Sequence, residues 1–159
     1  MRFLKPISLL TILVVCQSSA LGSRPPEGLG PLEGKVVWVD FWASWCAPCR
    51  RSFPWLNEMQ RRYASQGLQI IAINVDKERK LANRFLAENR AEFTVRFDPA
   101  GKLAEQFGVE AMPSSYVLDA AGNLLEKHLG FRLADEQRYE EGIKTALAAQ
   151  SASEDRREP

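Results

Sequence analysis

The run Val36-Val37-Trp38-Val39-Asp40-Phe41 passes directly into Trp42-Ala43-Ser44-Trp45-Cys46-Ala47-Pro48-Cys49. No other feature of the chain restricts its fold as much. A short run of β-branched and aromatic residues reads as a buried strand. From Cys46 onward, Phe53, Leu56, Met59 and Tyr63 recur every three or four residues, the spacing of a helix with one apolar face. The fold must therefore contain a buried strand that delivers two cysteines to the start of a helix. Pro54 is expected to interrupt and kink that helix, and Gly67 to end it.

Further along, residues 68–75 read as a second buried strand. Leu81, Phe85 and Leu86 mark an amphipathic helix ending near Asn89. Residues 93–97 read as a third strand, and 103–107 as a short helix stopped by Gly108. Two short strands, 115–118 and 124–129, form a hairpin across the turn from Asp119 to Asn123. Tyr139, Ile143, Ala146 and Leu147 line one face of a last helix. Strands alternating with helices and closed by a hairpin predict an α/β fold, a mixed central sheet flanked by helices on both faces. With 159 residues, 45% of them hydrophobic, the chain is long enough for one such core.

The ends read differently. Residues 1–20 have the basic n-region, short apolar run and small residues Ser18 and Ala20 of a cleaved signal peptide. A retained N-terminal anchor is the competing reading, although the apolar run falls short of the ~20 residues that span a bilayer. Cys16 would be discarded with the signal. An acylated Cys16 is disfavoured because Val15 precedes it, where a lipoprotein signal has a small residue. Residues 21–30 are rich in Gly and Pro and read as a linker, 31–149 as the domain, and 150–159 as a disordered tail.

Charge and composition exclude several functions. Basic and acidic residues balance at 21 and 20, leaving no excess to track a nucleic acid backbone. Three cysteines are too few for a four-cysteine zinc site, and a single histidine, His128, excludes a two-histidine metal site. An exported chain meets an oxidising environment, where a close cysteine pair cycles as a disulfide. At a helix N-terminus, Cys46 faces free N–H groups and the positive end of the dipole. Both favour the thiolate, the nucleophile of disulfide exchange. Cys49, one turn later and deeper in the fold, can close a short disulfide with it. This predicts a switch in which an exposed Cys46 attacks and Cys49 resolves the mixed disulfide. A Cu(I) carrier built on the same two sulfurs remains an alternative, because this soft ion needs few ligands. A binding or chaperone-like module with an incidental disulfide is a second.

The segment VDFWASWCAPCRRSFPWLNEM resembles the active-site region of thioredoxin-like proteins, particularly the exported TlpA/ResA branch. The resemblance continues through IIAINVD, FDPAGKLAEQFGV and MPSSYVLDAAGNLLEKHLGF. It implies a thioredoxin fold with an extra strand and helix inserted before a cis-proline, which Pro113 matches. It assigns Cys46 as the attacking cysteine and Cys49 as the resolving one. It gives Met112 a backbone that pairs with a bound peptide. It also implies a monomeric periplasmic protein-disulfide oxidoreductase without cofactor or metal. Such a protein works in the reducing direction on exported proteins with disulfides, in cytochrome c maturation or disulfide repair. A membrane electron donor of the DsbD/CcdA type would supply its electrons. Two positions depart from the pattern. Ser52 stands where this branch often has a glutamate, and Ala72 where thioredoxin has a lysine.

Asp40 lies in an otherwise apolar strand, so burial should raise its pKa and leave it able to take the Cys49 proton. With Ala72 in place of a lysine, nothing nearby is expected to stabilise its charge. Trp45 should face outward with Cys46 as a substrate-binding surface, while Trp42, Trp38 and Trp55 pack inward. His128 is read as structural. Arg50, Arg51, Arg61 and Arg62 are read as a solvated helix face.

Overall fold

The computed structural model describes residues 28–30, 32 and 35–156. Strand β1 (Val36–Trp42) is buried along its whole length, as its unbroken apolar run requires. It is followed by α1 (Ala47–Tyr63), β2 (Leu68–Asn74), α2 (Arg79–Glu88), β3 (Thr94–Phe97) and α3 (Lys102–Gln106). The chain then forms the hairpin β4 (Ser114–Leu118) and β5 (Leu124–Leu129) and closes with α4 (Glu136–Asp155). The sheet order is β3-β2-β1-β4-β5. Strand β1 runs parallel to β2 and antiparallel to β4, and β2 runs parallel to β3. The sheet is therefore mixed, with the cysteine-bearing strand at its centre.

Alternation along β1 divides the core into two layers. Val36, Trp38 and Trp42 face α1 and α4, among Phe53, Leu56, Met59, Tyr139 and Ile143. Val37, Val39 and Phe41 face the other way, among Leu29, Tyr116, Leu118 and the side of α3 that carries Leu103. Trp42 sits against Phe53 at 5.1 Å and Phe85 at 4.7 Å between ring centroids, which ties the end of β1 to α1 and α2. Rigid aromatic packing of this kind fixes the loop that leaves β1.

Several expectations need correction. Helix α1 is not interrupted at Pro54, since the ring stands on the exposed face, where the acceptor it leaves unpaired can be hydrated. The chain is not disordered from residue 150. Helix α4 continues to Asp155, anchored by buried Ala146 and Leu147 and continued by the Ser151 hydroxyl donating to the Leu147 carbonyl at 3.1 Å. The stretch before residue 31 is not all linker: Leu29 is fully buried, and the Gly28 carbonyl accepts from Arg96 at 2.8 Å. The domain therefore begins earlier and ends later than 31–149. The fourth correction, the exposure of Cys46, belongs to the site below. The signal peptide assigned to residues 1–20, with Cys16, lies outside the described residues.

Candidate active site

The loop leaving β1 turns sharply, with the Cys46 N–H donating to the Ala43 carbonyl at 3.1 Å. Cys46 is then the N-cap of α1, in an extended conformation, and Pro48 occupies the first turn, where its missing N–H costs nothing. Cys46 and Cys49 form a disulfide with an S–S distance of 1.98 Å. The Cys49 N–H points at the Cys46 sulfur, 3.2 Å away. No acidic residue occupies the first turn of α1. A thiolate at Cys46 would thus meet a backbone donor and the positive helix end, with no carboxylate in that turn to oppose it.

Cys46 was expected to be exposed and is not: it is 3% accessible, against 0% for Cys49. Bonded to a fully buried partner, it lies in the same apolar cluster as Trp42, Phe53 and Phe131, with Met112 packed against that cluster. Trp45 does face outward, at 68% exposure, beside inward-facing Trp42 at 0%. The Met112–Pro113 peptide bond is cis. Because Ser114 pairs with Phe41, Met112 and Pro113 come alongside the end of β1, where the redox loop begins. The Pro113 carbonyl is held by the Gly130 N–H at 2.8 Å. Cys46, Cys49, Trp45, Met112 and Pro113 are therefore gathered at one end of the sheet.

Asp40 is buried at 1% exposure on the central strand, on the β1 face that carries Trp38 and Trp42 toward α1. Burial raises its pKa from 3.8 to about 7. The expectation that nothing nearby stabilises its charge is corrected by Ser115. That hydroxyl donates to Asp40 Oδ1 at 2.7 Å, from the β4 residue directly opposite in register. The other oxygen, Oδ2, has no hydrogen-bond partner among the described residues. On the opposite side Asp40 pairs with Ala72, which brings no charge.

The remaining candidates are structural. His128 stacks on Trp38 at 5.4 Å, and its Nε2 lies 3.1 Å from Glu126, while burial lowers its pKa. Ser52 is buried with its hydroxyl on the Cys49 carbonyl at 3.1 Å, so it puts no carboxylate beside the pair. Arg61 pairs with Glu92, and Arg62 with Glu58 and Glu140, so these residues do not make an unneutralised stripe.

Sequence reasoning missed Ser115, Ser44 and Asp76. Ser44 follows β1, and both its N–H and its hydroxyl reach Asp76, each at 2.9 Å. The available signal was the polar pair Asn74 and Asp76 closing the apolar run of β2, at the strand ends where α/β sheets place their sites.

A family model described as Redoxin matches residues 28–143. The chain is 32% identical over 102 residues to the thiol-disulfide oxidoreductase ResA of Bacillus cereus (strain ZK / E33L), covering 64% of this chain and 59% of that relative. The match thus spans less than two thirds of the relative's length. Among solved structures, a Chlorobium tepidum protein described as a thiol:disulfide interchange protein DsbE is 49% identical, with a TM-score of 0.72 over 73% of this chain and 82% of that one. The exposed lipoprotein thioredoxin of Streptococcus pneumoniae strain TIGR4 is 27% identical, with a TM-score of 0.64 over 72% of this chain and 87% of that one. With a cysteine pair at the first turn of α1, a cis-proline beside it and this set of relatives, the chain belongs to the Redoxin family, with the thioredoxin fold of its TlpA/ResA branch.

Proposed function

We propose that this chain is a protein thiol–disulfide oxidoreductase that reduces disulfides of exported proteins outside the cytoplasm, in the periplasm. The observation that carries the reading is the Cys46–Cys49 disulfide seated on the N-terminus of α1, with the Cys49 N–H aimed at the Cys46 sulfur. In the reduced protein the Cys46 thiolate attacks one sulfur of a substrate disulfide. A mixed disulfide forms and one substrate thiolate leaves. Asp40, with a pKa near neutrality, takes the Cys49 proton. The Cys49 thiolate then attacks the Cys46 sulfur, releasing the second substrate sulfur as a thiolate that takes its proton from Asp40, and leaving Cys46–Cys49 oxidised. Two electrons have passed to the substrate, and a dithiol donor of the DsbD/CcdA type at the membrane restores them. Trp45, Met112 and the Pro113 turn form the surface against which the substrate strand lies.

The reducing direction is supported by the pair Ala47-Pro48 between the cysteines, which carries no positive charge to stabilise the thiolate further. Export is supported by the N-terminal sequence and by the similarity to an exposed lipoprotein thioredoxin. The test is reduction of a disulfide-bonded protein by the reduced chain. Cys46→Ser should abolish turnover. Cys49→Ser should accumulate a mixed disulfide through Cys46. Tight Cu(I) binding by the reduced pair without exchange would replace this reading with a copper carrier.

A further inference from the structure

The turn that carries Trp45 and Cys46 is clamped from the neighbouring strand by a buried carboxylate. Asp76, 5% exposed, lies just beyond β2. Its Oδ2 accepts from the Ser44 N–H and its Oδ1 from the Ser44 hydroxyl, both at 2.9 Å. Asn74, fully buried, donates to the same Oδ2 at 2.7 Å and accepts from the Asp76 N–H at 3.1 Å. The Val75 N–H holds the Trp42 carbonyl at 3.0 Å, fixing the residue from which the turn departs. The remaining polar group of Ser44, its carbonyl, accepts from Arg50 of α1 at 3.1 Å. Ser44 is thus gripped by β2 on one side and α1 on the other. Two residues later, the Cys46 sulfur sits over the Cys49 N–H.

We propose that Asp76 is a positioning residue for the redox pair, holding the Ser44 turn so that the Cys46 sulfur is seated on the N-terminus of α1. The helix-end contribution to a thiolate depends on the direction of the N–H groups and fades within one turn. Loosening the turn therefore lowers the thiolate fraction of Cys46. The charge of Asp76 acts in the opposite sense, since a nearby anion disfavours a thiolate. The two effects predict opposite signs, so one measurement separates them. The inference rests on Cys46–Cys49 being the redox pair.

The test uses the reduced full chain, with Cys46 and Cys49 alkylation followed separately across pH. Asp76→Ala should lower the Cys46 thiolate fraction about tenfold at a fixed pH below its titration. At a pH above the Cys46 titration in both proteins, where the thiolate is the reduced form, the same loss should move the thiol–disulfide equilibrium tenfold toward the disulfide, about 30 mV more negative. Ser44→Ala, which keeps its N–H bond and the charge of Asp76, should shift both in the same direction by less. The double variant should go no further than Asp76→Ala. A lower melting temperature with an unchanged Cys46 profile would make Asp76 merely structural. A higher thiolate fraction would show that its charge outweighs positioning, and additive shifts would show that it does not act through Ser44. Each of these results overturns the proposal. If Asp76→Ala does not fold, an unchanged Cys46 profile in Ser44→Ala does so alone. Failure of the wild-type chain to exchange disulfides would instead overturn the functional reading.

Discussion

Replacing Asp40 by Asn should make the protein more stable at pH 8 and less active, and the stability gain should vanish at pH 4. Asp40 has a folded pKa of about 7 against 3.8 for the free side chain. Below pH 3.8 the carboxyl is protonated in both folded and unfolded chains and contributes no pH dependence. As pH rises through the window from 3.8 to about 7, the unfolded chain ionises first, and stability falls by about 1.4 kcal/mol per pH unit. The accumulated cost is about 4 kcal/mol and levels off above the folded pKa. Asn carries no charge, so the variant escapes this cost. It acquires an amide donor beside the position of Oδ2, which has no partner, at a penalty of about 1–3 kcal/mol. The net expectation at pH 8 is a gain of about 1–3 kcal/mol, and at pH 4, where little of the ionisation cost has accumulated, a loss of about 1–2 kcal/mol. Urea unfolding of the oxidised protein at several pH values measures the difference, with unchanged slopes confirming that the unfolded state is comparable. Disulfide exchange should slow because Cys49 loses its proton acceptor. A stability difference that does not vary between pH 4 and 8 would refute the reasoning, since Asp40 would then not titrate with a raised pKa.

Other outcomes follow from the same geometry. Ser115→Ala removes the donor 2.7 Å from Asp40, so it should raise the Asp40 pKa further and cost about 1–2 kcal/mol at pH 8 but less at pH 4; equal costs at both pH values would contradict this. Reduced protein alkylated at mildly acidic pH should label Cys46 faster than Cys49, which mass mapping can resolve; equal rates would remove the assignment of attacker and resolver. In an exporting host the mature chain should begin near Leu21 with two cysteines, as N-terminal sequencing would show; an acylated Cys16 would make the protein membrane-tethered.

Much of the fold was legible because its signals are local. The apolar run of β1, the three-to-four spacing from Phe53 to Tyr63 and the turn from Asp119 to Asn123 each specify one element by sequence alone. The cysteine pair and Pro113 were legible through a motif. What the sequence hid depends on register. Ser115 faces Asp40 only because β4 pairs antiparallel with β1 at that offset, and nothing between residues 40 and 115 encodes it. The Ser44–Asp76 clamp spans two strand ends for the same reason. The C-terminal boundary was misplaced because residues 150–155 are polar, and their helix is sustained by side-chain bonds such as Ser151 to Leu147 and by the anchored turn before them. Cys46 was expected to be exposed because a helix N-terminus usually is. Closure of the disulfide onto a fully buried Cys49 draws its sulfur into the apolar cluster.

The central claim, a dithiol that delivers electrons to substrate disulfides, is tested most directly by equilibrating the Cys46–Cys49 pair against a graded glutathione or dithiothreitol buffer. The account predicts a single two-electron transition near the potential of thioredoxin, about −270 mV. A potential near −120 mV, that of a strong disulfide donor, would contradict the reducing direction.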